Sequence, residues 1–597
     1  MKIVIIGGVA AGASCAARLR RLDENAEIIV LERGPYISYA NCGLPYHVGN
    51  VIPDQDDLLL MDPELMDLRY NVDVRVNSTA TAIDRSRKTV HVRTPQREYD
   101  ESYDHLLIAT GSSPIRPNIP GIDSPGIYSL WTVPDTEKIK AIVDQTHPKT
   151  AAVIGGGFIG LEMAENLVQR GVHVDLIEAE NQVMRTLDPE MAAVVENELE
   201  RNNVTLHLEE RVTDFHQEAP AAGSASPQGP VTITTESGKQ FTVDMVILSV
   251  GTRPNGELAK AAGLKVNSRG GIIVDRSLRT EDPFIWAAGD VIEVEQRISG
   301  QKVMIPLAGP ANKQGRLAAD NIIGLSRILS GGAPGGFSES SGSQGDYGRR
   351  GSDSRSSASH PLLKEYPGSL GTSIAKVFGL SAASTGLTER QVLDRGLRKN
   401  RDFYTLVVNQ KSHAGYYPGA CSLFLKLIFD DRGRILGAQC VGPEGVDKRI
   451  DTVAAAACMG GTVHNLTELE LAYAPPYSSA KDPVNMAGFC AENVLEGMTA
   501  FVSPAECDEM TGANRALFLD VRTPGELAQW SYPGGVNIPL EQLRSRAGEL
   551  PRDRVIITSC RIGVRAYVAC RILRQLGFQD VRVLEGSMEF YTASHRD

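Results

Sequence analysis

The chain lacks long apolar runs, dense cysteine and blocks of like charge, and each absence excludes a class of protein. No eighteen consecutive residues are apolar, so no membrane-spanning helix is expected. Nine cysteines in 597 residues are too sparse for a disulfide framework, and their number is odd. They read as reduced thiols in a cytoplasmic compartment. The net charge of −12 is spread without long acidic blocks, which argues against nucleic acid as a partner and for solubility. Ile3-Val4-Ile5-Ile6 resembles the start of a signal peptide, but Gly7 and Gly8 break it at once and Arg18, Arg20 and Arg21 follow. A buried parallel strand entering a turn explains the run better. What is present is ordinary globular composition, 42% apolar and 22% charged, in a chain too long for one core.

Two strand–turn–helix units stand about 150 residues apart. The first runs from Lys2 through Gly7-Gly8-Val9-Ala10-Ala11-Gly12 into an Ala/Arg-rich helix, and its second strand ends in Glu32. The second runs from Ala151 through Gly155, Gly157 and Gly160, and its following strand ends in Glu178. The second loop is a full G-x-G-x-x-G. Its glycines permit the tight turn, the approach of a pyrophosphate and close packing of helix on strand. Glu178 can accept bonds from both ribose hydroxyls and would repel a 2′-phosphate, which favours NADH and leaves NADPH open. In the first loop Val9 replaces the middle glycine. Leu107–Gly111 and Ile285–Asp290 add two apolar strands ending in tight turns.

These motifs, in this order, resemble the FAD-dependent pyridine nucleotide–disulfide oxidoreductases. Ile6–Gly12, Ser38–Tyr46 and Tyr473–Ser478 are similar to the coenzyme A–disulfide reductases over residues 1–490. The resemblance implies that Gly7, Gly8, Ala11, Gly12, Glu32, Arg33, Thr110, Gly111, Gly289 and Asp290 bind FAD, and that Gly155, Gly157, Ile159, Gly160 and Glu178 bind NADH. Many relatives carry two redox cysteines a few residues apart. Here Cys42 has His47 five positions on, so its covalent partner must come from outside such a pair: a small thiol, a persulfide or oxygen. Coenzyme A needs cations and polar groups near Cys42, and Arg18, Arg21, Ser38 and Asn41 are the candidates. The resemblance also implies a homodimer in which a tyrosine replaces an acid–base histidine, from Tyr473 and Tyr477 or from Tyr416 and Tyr417.

After about Thr499 a different βα alternation begins. Cys560 opens a six-residue loop, Cys560–Arg565, between an apolar strand and a helix, where converging N–H groups and the helix dipole stabilise a thiolate or persulfide. With Asp520-Val521-Arg522, Gly535–Pro539 and Leu584-Glu585-Gly586 this resembles a rhodanese domain, with Cys560 and Arg565 as its catalytic residues.

The expected fold class is α/β: two Rossmann-like dinucleotide-binding domains, an α+β dimerisation domain and a C-terminal α/β rhodanese domain. The expected boundaries are 1–112 with 245–325 for FAD, 113–244 for NAD, 326–370 for a Gly/Ser-rich linker, 371–490 for dimerisation and 500–597 for rhodanese. Residues 219–230 are expected to form a hairpin loop. No metal ligands are assigned. The expected activity is NADH-driven reduction of a coenzyme A persulfide, a polysulfide or coenzyme A disulfide, with Cys560 carrying sulfane sulfur. Two alternatives are an NADH peroxidase or oxidase cycling through a cysteine sulfenic acid, and a sulfurtransferase on a non-catalytic flavoprotein scaffold.

Overall fold

The computed structural model describes residues 1–219, 229–329 and 363–595. Of the expected linker at 326–370, residues 330–362 lie outside the described residues, while 326–329 end helix Ala308–Leu329 instead of starting a linker; residues 220–228 of the 219–230 segment lie outside them too. The chain divides into two compact units. No described helix is long and apolar enough to cross a membrane.

The first unit comprises Met1–Ile115, Trp131–Glu137 and Gly251–Ser369. Its centre is a parallel sheet in the order Ile285–Ala287, His105–Ile108, Lys2–Ile6, Glu27–Leu31, Asp73–Arg75. The runs KIVII and EIIVL are apolar almost throughout because both faces of the sheet are covered, and Ile3, Val4 and Ile5 are wholly buried. Helix Ala10–Leu22 packs Ala11, Cys15, Ala16 and Leu19 inward. Helix Ala308–Leu329 lies so close to it that a Cβ on Gly315 would fall 2.1 Å from the Ala11 carbonyl oxygen. A small antiparallel sheet of Thr79–Asp84, Thr89–Arg93 and Glu98–Ser102 completes the unit.

The second unit comprises Arg116–Leu130, Lys138–Val250 and the chain from Leu370 onward. It contains a second parallel sheet, ordered Val204–His207, His173–Ile177, Thr150–Ile154, Met245–Leu248, Ile127–Ser129. Strands Val212–Gln217 and Val231–Thr235 pair antiparallel with Gln217 opposite Val231. An antiparallel sheet follows, ordered Ser373–Val377, Leu380–Gly386, Ile435–Gly442, Ser422–Asp430, Phe403–Lys411, with helices Val446–Cys458 and Pro483–Leu495 against it. The last sheet is parallel and ordered Phe501–Val502, Val581–Leu584, Val555–Ser559, Ala516–Asp520, Val536–Asn537.

A buried charge cluster ties these parts of the second unit together. Lys426 is fully buried and its ammonium reaches Asp188 at 2.8 Å, Glu389 at 2.8 Å and Glu190. These three carboxylates converge, and the cation among them is the Lys426 ammonium. Burial alone would lower the pKa of that ammonium, but Glu190, Asp188 and Glu389 outweigh it and hold it charged. Lys399 extends the cluster to Glu389 and Glu506. Glu585 lies fully buried nearby and accepts a 3.0 Å bond from the Thr405 hydroxyl.

Candidate active site

Both glycine loops make the same turn. Gly7 has φ +104° and Gly155 φ +105°, a region costly for any residue with a Cβ. A Cβ on Gly12 would lie 1.8 Å from the Gly7 carbonyl oxygen, and one on Gly160 would lie 2.0 Å from that of Gly155. Glycine is therefore what lets each helix start against its strand. A Cβ on Gly157 would meet no atom within 4 Å, so open space lies beside the N-terminus of helix Phe158–Gln169, where a pyrophosphate fits. Val9 occupies the equivalent N-cap of helix Ala10–Leu22. The two glutamates are equivalent too. Glu32 accepts the Gly8 and Gly34 N–H groups at 2.9 and 2.8 Å. Glu178 accepts those of Gly156 and Glu180 at 2.6 and 2.9 Å. Each carboxylate thus holds its own loop, and each oxygen retains a lone pair for a ribose hydroxyl.

Further along the first sheet, Thr110 and Asn255 bond each other reciprocally, Thr110 Oγ1 to the Asn255 carbonyl at 2.9 Å and Asn255 Nδ2 to that of Thr110 at 2.8 Å. Gly111 has φ +63° and open space at its Cβ position. The Gly289 N–H donates to Gln314 at 2.8 Å, and the neighbouring Asp290 accepts a 3.0 Å bond from Ser112. Burial raises the pKa of the Asp290 carboxyl. Asn255, Ser112 and Gln314 carry no local sequence signal, since their partners lie 145, 178 and 25 residues away. Arg33 is exposed and reaches Ser113 at 3.4 Å. Ala11 is buried, and Ile159 is half-buried on its helix.

Cys42 lies in the 3₁₀ turn Asn41–Gly43 and is exposed. The turn is anchored beside the first glycine loop, because the Ser38 N–H donates to the Gly8 carbonyl and that of Ala40 to the Leu58 carbonyl. Ser38, Asn41 and Cys42 therefore share one loop. His47 is buried, and its Nδ1 lies 2.7 Å from the Ile52 carbonyl oxygen of its own turn. Arg18 is bound to Asp320 at 2.7 Å, whereas Arg21, on the same helix, is exposed. No disulfide joins any of the nine cysteines.

In the second unit the Tyr416 and Tyr473 hydroxyls lie 2.9 Å apart. Tyr417 instead packs edge-on against His413, and Tyr477 is highly exposed. The two tyrosine segments are pinned by Arg449, a fully buried cation. Its Nη2 donates to the Ser412 carbonyl at 2.8 Å, the Ser478 hydroxyl at 3.3 Å and Asp482 at 3.0 Å.

Cys560 follows strand Val555–Ser559 and is buried, its sulfur accepting the Gly563 N–H at 3.1 Å. Arg565, in the first turn of helix Val564–Gln575, makes a two-pronged pair with Glu526 at 2.6 and 2.8 Å. That pair holds the Glu526 carboxyl down at about 2. Glu526 first, and then the Cys560 sulfur, raise the pKa of the Arg565 guanidinium. Asp520 and Arg522 form a buried bidentate pair that supports the neighbouring strand end.

Residues 1–315 match the model of the pyridine nucleotide-disulphide oxidoreductases, more than half of the chain. The chain belongs to that family. Residues 372–483 match the family's dimerisation domain, and residues 503–594 match a rhodanese-like domain. The protein is thus an oxidoreductase of mixed α/β fold, and its membership implies binding of FAD and NAD(H). The glycine loops and their glutamates fit such groups. A coenzyme A disulfide reductase of Staphylococcus haemolyticus is 32% identical over 496 residues, covering 83% of this chain and all of that one. The crystal structure of reduced Bacillus anthracis CoADR-RHD is 42% identical with a TM-score of 0.87, covering 99% of this chain and 98% of its own. That of a NAD-dependent persulfide reductase from A. fulgidus is 37% identical with a TM-score of 0.85, covering 99% and 100%.

Proposed function

We propose that this oxidoreductase reduces a coenzyme A persulfide, a polysulfide or coenzyme A disulfide with NADH, and that its rhodanese domain supplies sulfane sulfur through Cys560. The observation that carries the reading is one chain holding both an exposed cysteine beside a dinucleotide loop and a second cysteine in an anion-cradling loop. With coenzyme A persulfide, the Cys42 thiolate attacks the outer sulfur, the bond between that sulfur and the coenzyme A sulfur breaks, and coenzyme A leaves as a thiol once protonated, with Cys42 left as a persulfide. With coenzyme A disulfide the same attack leaves Cys42 bound to coenzyme A, and its reduction frees a second coenzyme A thiol in place of sulfide. Bound FAD and NADH would supply the two electrons that return Cys42 to the thiolate and release hydrogen sulfide. Tyr416 and Tyr473 are the proton donors for the departing thiolate, because they are the two tyrosines that bond each other. Ser38 and Asn41, on the Cys42 loop, are the polar contacts for coenzyme A, with Arg21 as the exposed cation for its phosphates.

The reading assigns residues 1–112 with 245–325 to FAD and 113–244 to NAD, except that strand Met245–Leu248 pairs with Thr150–Ile154 and so goes with the NAD part, and it gives 371–490 to a homodimer contact and 500–597 to sulfur transfer. The exposed faces of Tyr416, Tyr417, Tyr473 and Tyr477 support a second subunit covering them. Nine cysteines with no disulfide suit the cytoplasm. A second reading, an NADH oxidase, is favoured by one resemblance: the water-forming NADH oxidase from Lactobacillus brevis is 26% identical with a TM-score of 0.72, covering 83% of this chain. The test is sulfide release from coenzyme A persulfide with NADH. Cys42→Ser should stop it and still allow NADH to reduce the flavin, whereas Cys560→Ser should lose only transfer from thiosulfate or persulfide donors. NADH-driven oxygen consumption faster than persulfide turnover would favour the oxidase, and hydrogen peroxide turnover a peroxidase.

A further inference from the structure

The turn after strand Val581–Leu584 holds two consecutive residues in the left-handed region, Gly586 at φ +57° and Ser587 at φ +56°. Glycine is required at the first, because a Cβ there would sit 2.4 Å from Phe590. The second would be easier as glycine, yet a serine stands there, fully buried. Backbone bonds over-determine the turn. The Glu585 N–H donates to Val502, Gly586 to Val407, Met588 to Cys560 and Glu589 to Arg561, all onto carbonyl oxygens. The last two clamp the start of the Cys560 loop from behind, and Glu589 also pairs with the Arg561 side chain at 3.5 Å.

The Ser587 hydroxyl completes this clamp. Its oxygen accepts the Cys560 N–H at 3.1 Å and the Ser559 hydroxyl at 3.4 Å. The Ser559 hydrogen is shared with the Cys560 carbonyl oxygen, also at 3.4 Å, and in both contacts the Ser587 oxygen is the acceptor. The Ser587 hydrogen remains, and the Cys560 sulfur, which also accepts the Gly563 N–H, lies 4.0 Å from its oxygen.

We infer that Ser587 is a positioning residue of the sulfur-transfer site, which fixes the Cys560 backbone through its oxygen and turns its hydroxyl hydrogen onto the sulfur when that sulfur carries charge. The inference rests on the reading of Cys560 as the sulfane-sulfur carrier. In the step concerned, the Cys560 thiolate bonds to the outer sulfur of the donor. The donor's own bond to that sulfur breaks, and the donor leaves with the electron pair as a thiolate or sulfite. Negative charge sits on the Cys560 sulfur before the step and on the terminal sulfur after it. A hydroxyl donor aimed there stabilises the charged form and strengthens as the charge develops.

The test is iodoacetamide labelling of Cys560 in the intact flavoprotein, followed on the Cys560 peptide, for wild type, Ser587→Ala and Ser587→Gly. Ser587→Gly suits the left-handed backbone and guards against a folding failure. At pH 7 both variants should label at least fivefold more slowly than wild type. At pH 10, above the ordinary range of thiols, all three should agree within twofold. Thiosulfate sulfurtransfer should fall tenfold or more, mainly in kcat. Wild-type labelling of Ser587→Gly at pH 7 would overturn the inference, and so would equal slowing at both pH values, which marks a packing role alone. If wild type itself moves no sulfur from thiosulfate or persulfide while the labelling pattern holds, the carrier reading fails and the role of Ser587 stands.

Discussion

The hydroxyl oxygens of Tyr416 and Tyr473 lie 2.9 Å apart, although the two residues are 57 positions apart in the chain. The hydrogen bond shared with Tyr473 raises the pKa of the Tyr416 phenol, so in this pair Tyr416 keeps its proton and donates it toward Tyr473. A phenol held protonated beside another can donate to a leaving thiolate and be refilled by its neighbour. Tyr416→Phe and Tyr473→Phe should each lower persulfide or disulfide reduction by roughly 10- to 100-fold, with flavin reduction by NADH unchanged in a stopped-flow trace. Tyr417→Phe should stay within threefold of wild type. A loss at Tyr417 as large as at Tyr416 would assign the proton to the wrong tyrosine.

Arg449 is the cation on which both tyrosine segments hang, through the Ser412 carbonyl and the Asp482 carboxylate. Burial would raise the pKa of the Asp482 carboxyl, but the Val484 N–H, Ser478 and Arg449 overcome it and keep it ionised. Arg449→Met removes the buried cation and leaves that carboxylate with Lys448, at 3.6 Å, as its charged partner, a loss of up to about 3–5 kcal/mol for a buried pair. Thermal unfolding should shift down clearly. Arg449→Met/Asp482→Leu should recover a good part of the shift, because the carboxylate goes too. A double variant no more stable than the single one would place the energy elsewhere.

The fold was legible where its signals are local. The glycine turns, the apolar strands at 2–6 and 151–154 and the Cys560 loop each state their geometry within about ten residues. Their spacing and resemblance led to two dinucleotide folds and a rhodanese domain, and the family models match in the same order. What stayed hidden depends on distant partners. Gly315 is small because Ala11 approaches it. Arg449 reads in sequence as one more helix arginine, and it matters through Ser412 and Asp482. The choice between Tyr416 and Tyr417 turns on side-chain direction out of one loop, which adjacent identical residues cannot encode. Arg18 and Arg21 look alike on one helix, and Asp320, about 300 residues on, separates them.

Glu178 bears two roles, and a variant should separate them. Its carboxylate holds the Gly156 and Glu180 N–H groups and presents negative charge at the end of strand His173–Ile177. Glu178→Ala should weaken the preference for NADH over NADPH by about tenfold in kcat/KM, since the repulsion of a 2′-phosphate is lost. It should also destabilise the loop by about 1–3 kcal/mol, as two N–H groups lose their acceptor. A wild-type enzyme that uses NADPH as efficiently as NADH would contradict the assignment of this carboxylate.

Glu585 sets a pH dependence of stability. It is fully buried, Thr405 donates to one of its oxygens, and the other has no hydrogen-bond partner among the described residues. Burial pushes its carboxyl up to about 7, against the pull of Lys399 and Lys426 and with the repulsion of Glu190 and Glu389. The unfolded chain ionises it near the ordinary glutamate value, so the folded state binds the extra proton between about pH 4.5 and 7. A carboxyl raised in the folded state contributes stability that is fully present below the unfolded pKa and is lost as pH rises through the folded one. Glu585→Gln keeps a neutral acceptor for Thr405 and does not ionise. Wild type and variant should therefore unfold alike at pH 4.5. Above pH 7 the variant should gain on wild type by up to about 3 kcal/mol, the size of a shift of that order for a buried group. Urea midpoints at pH 4.5, 6 and 8 read the difference directly, and other titrating groups cancel between the two proteins. A constant gap across the three values, or one that closes as pH rises, would show that Glu585 enters the fold already ionised.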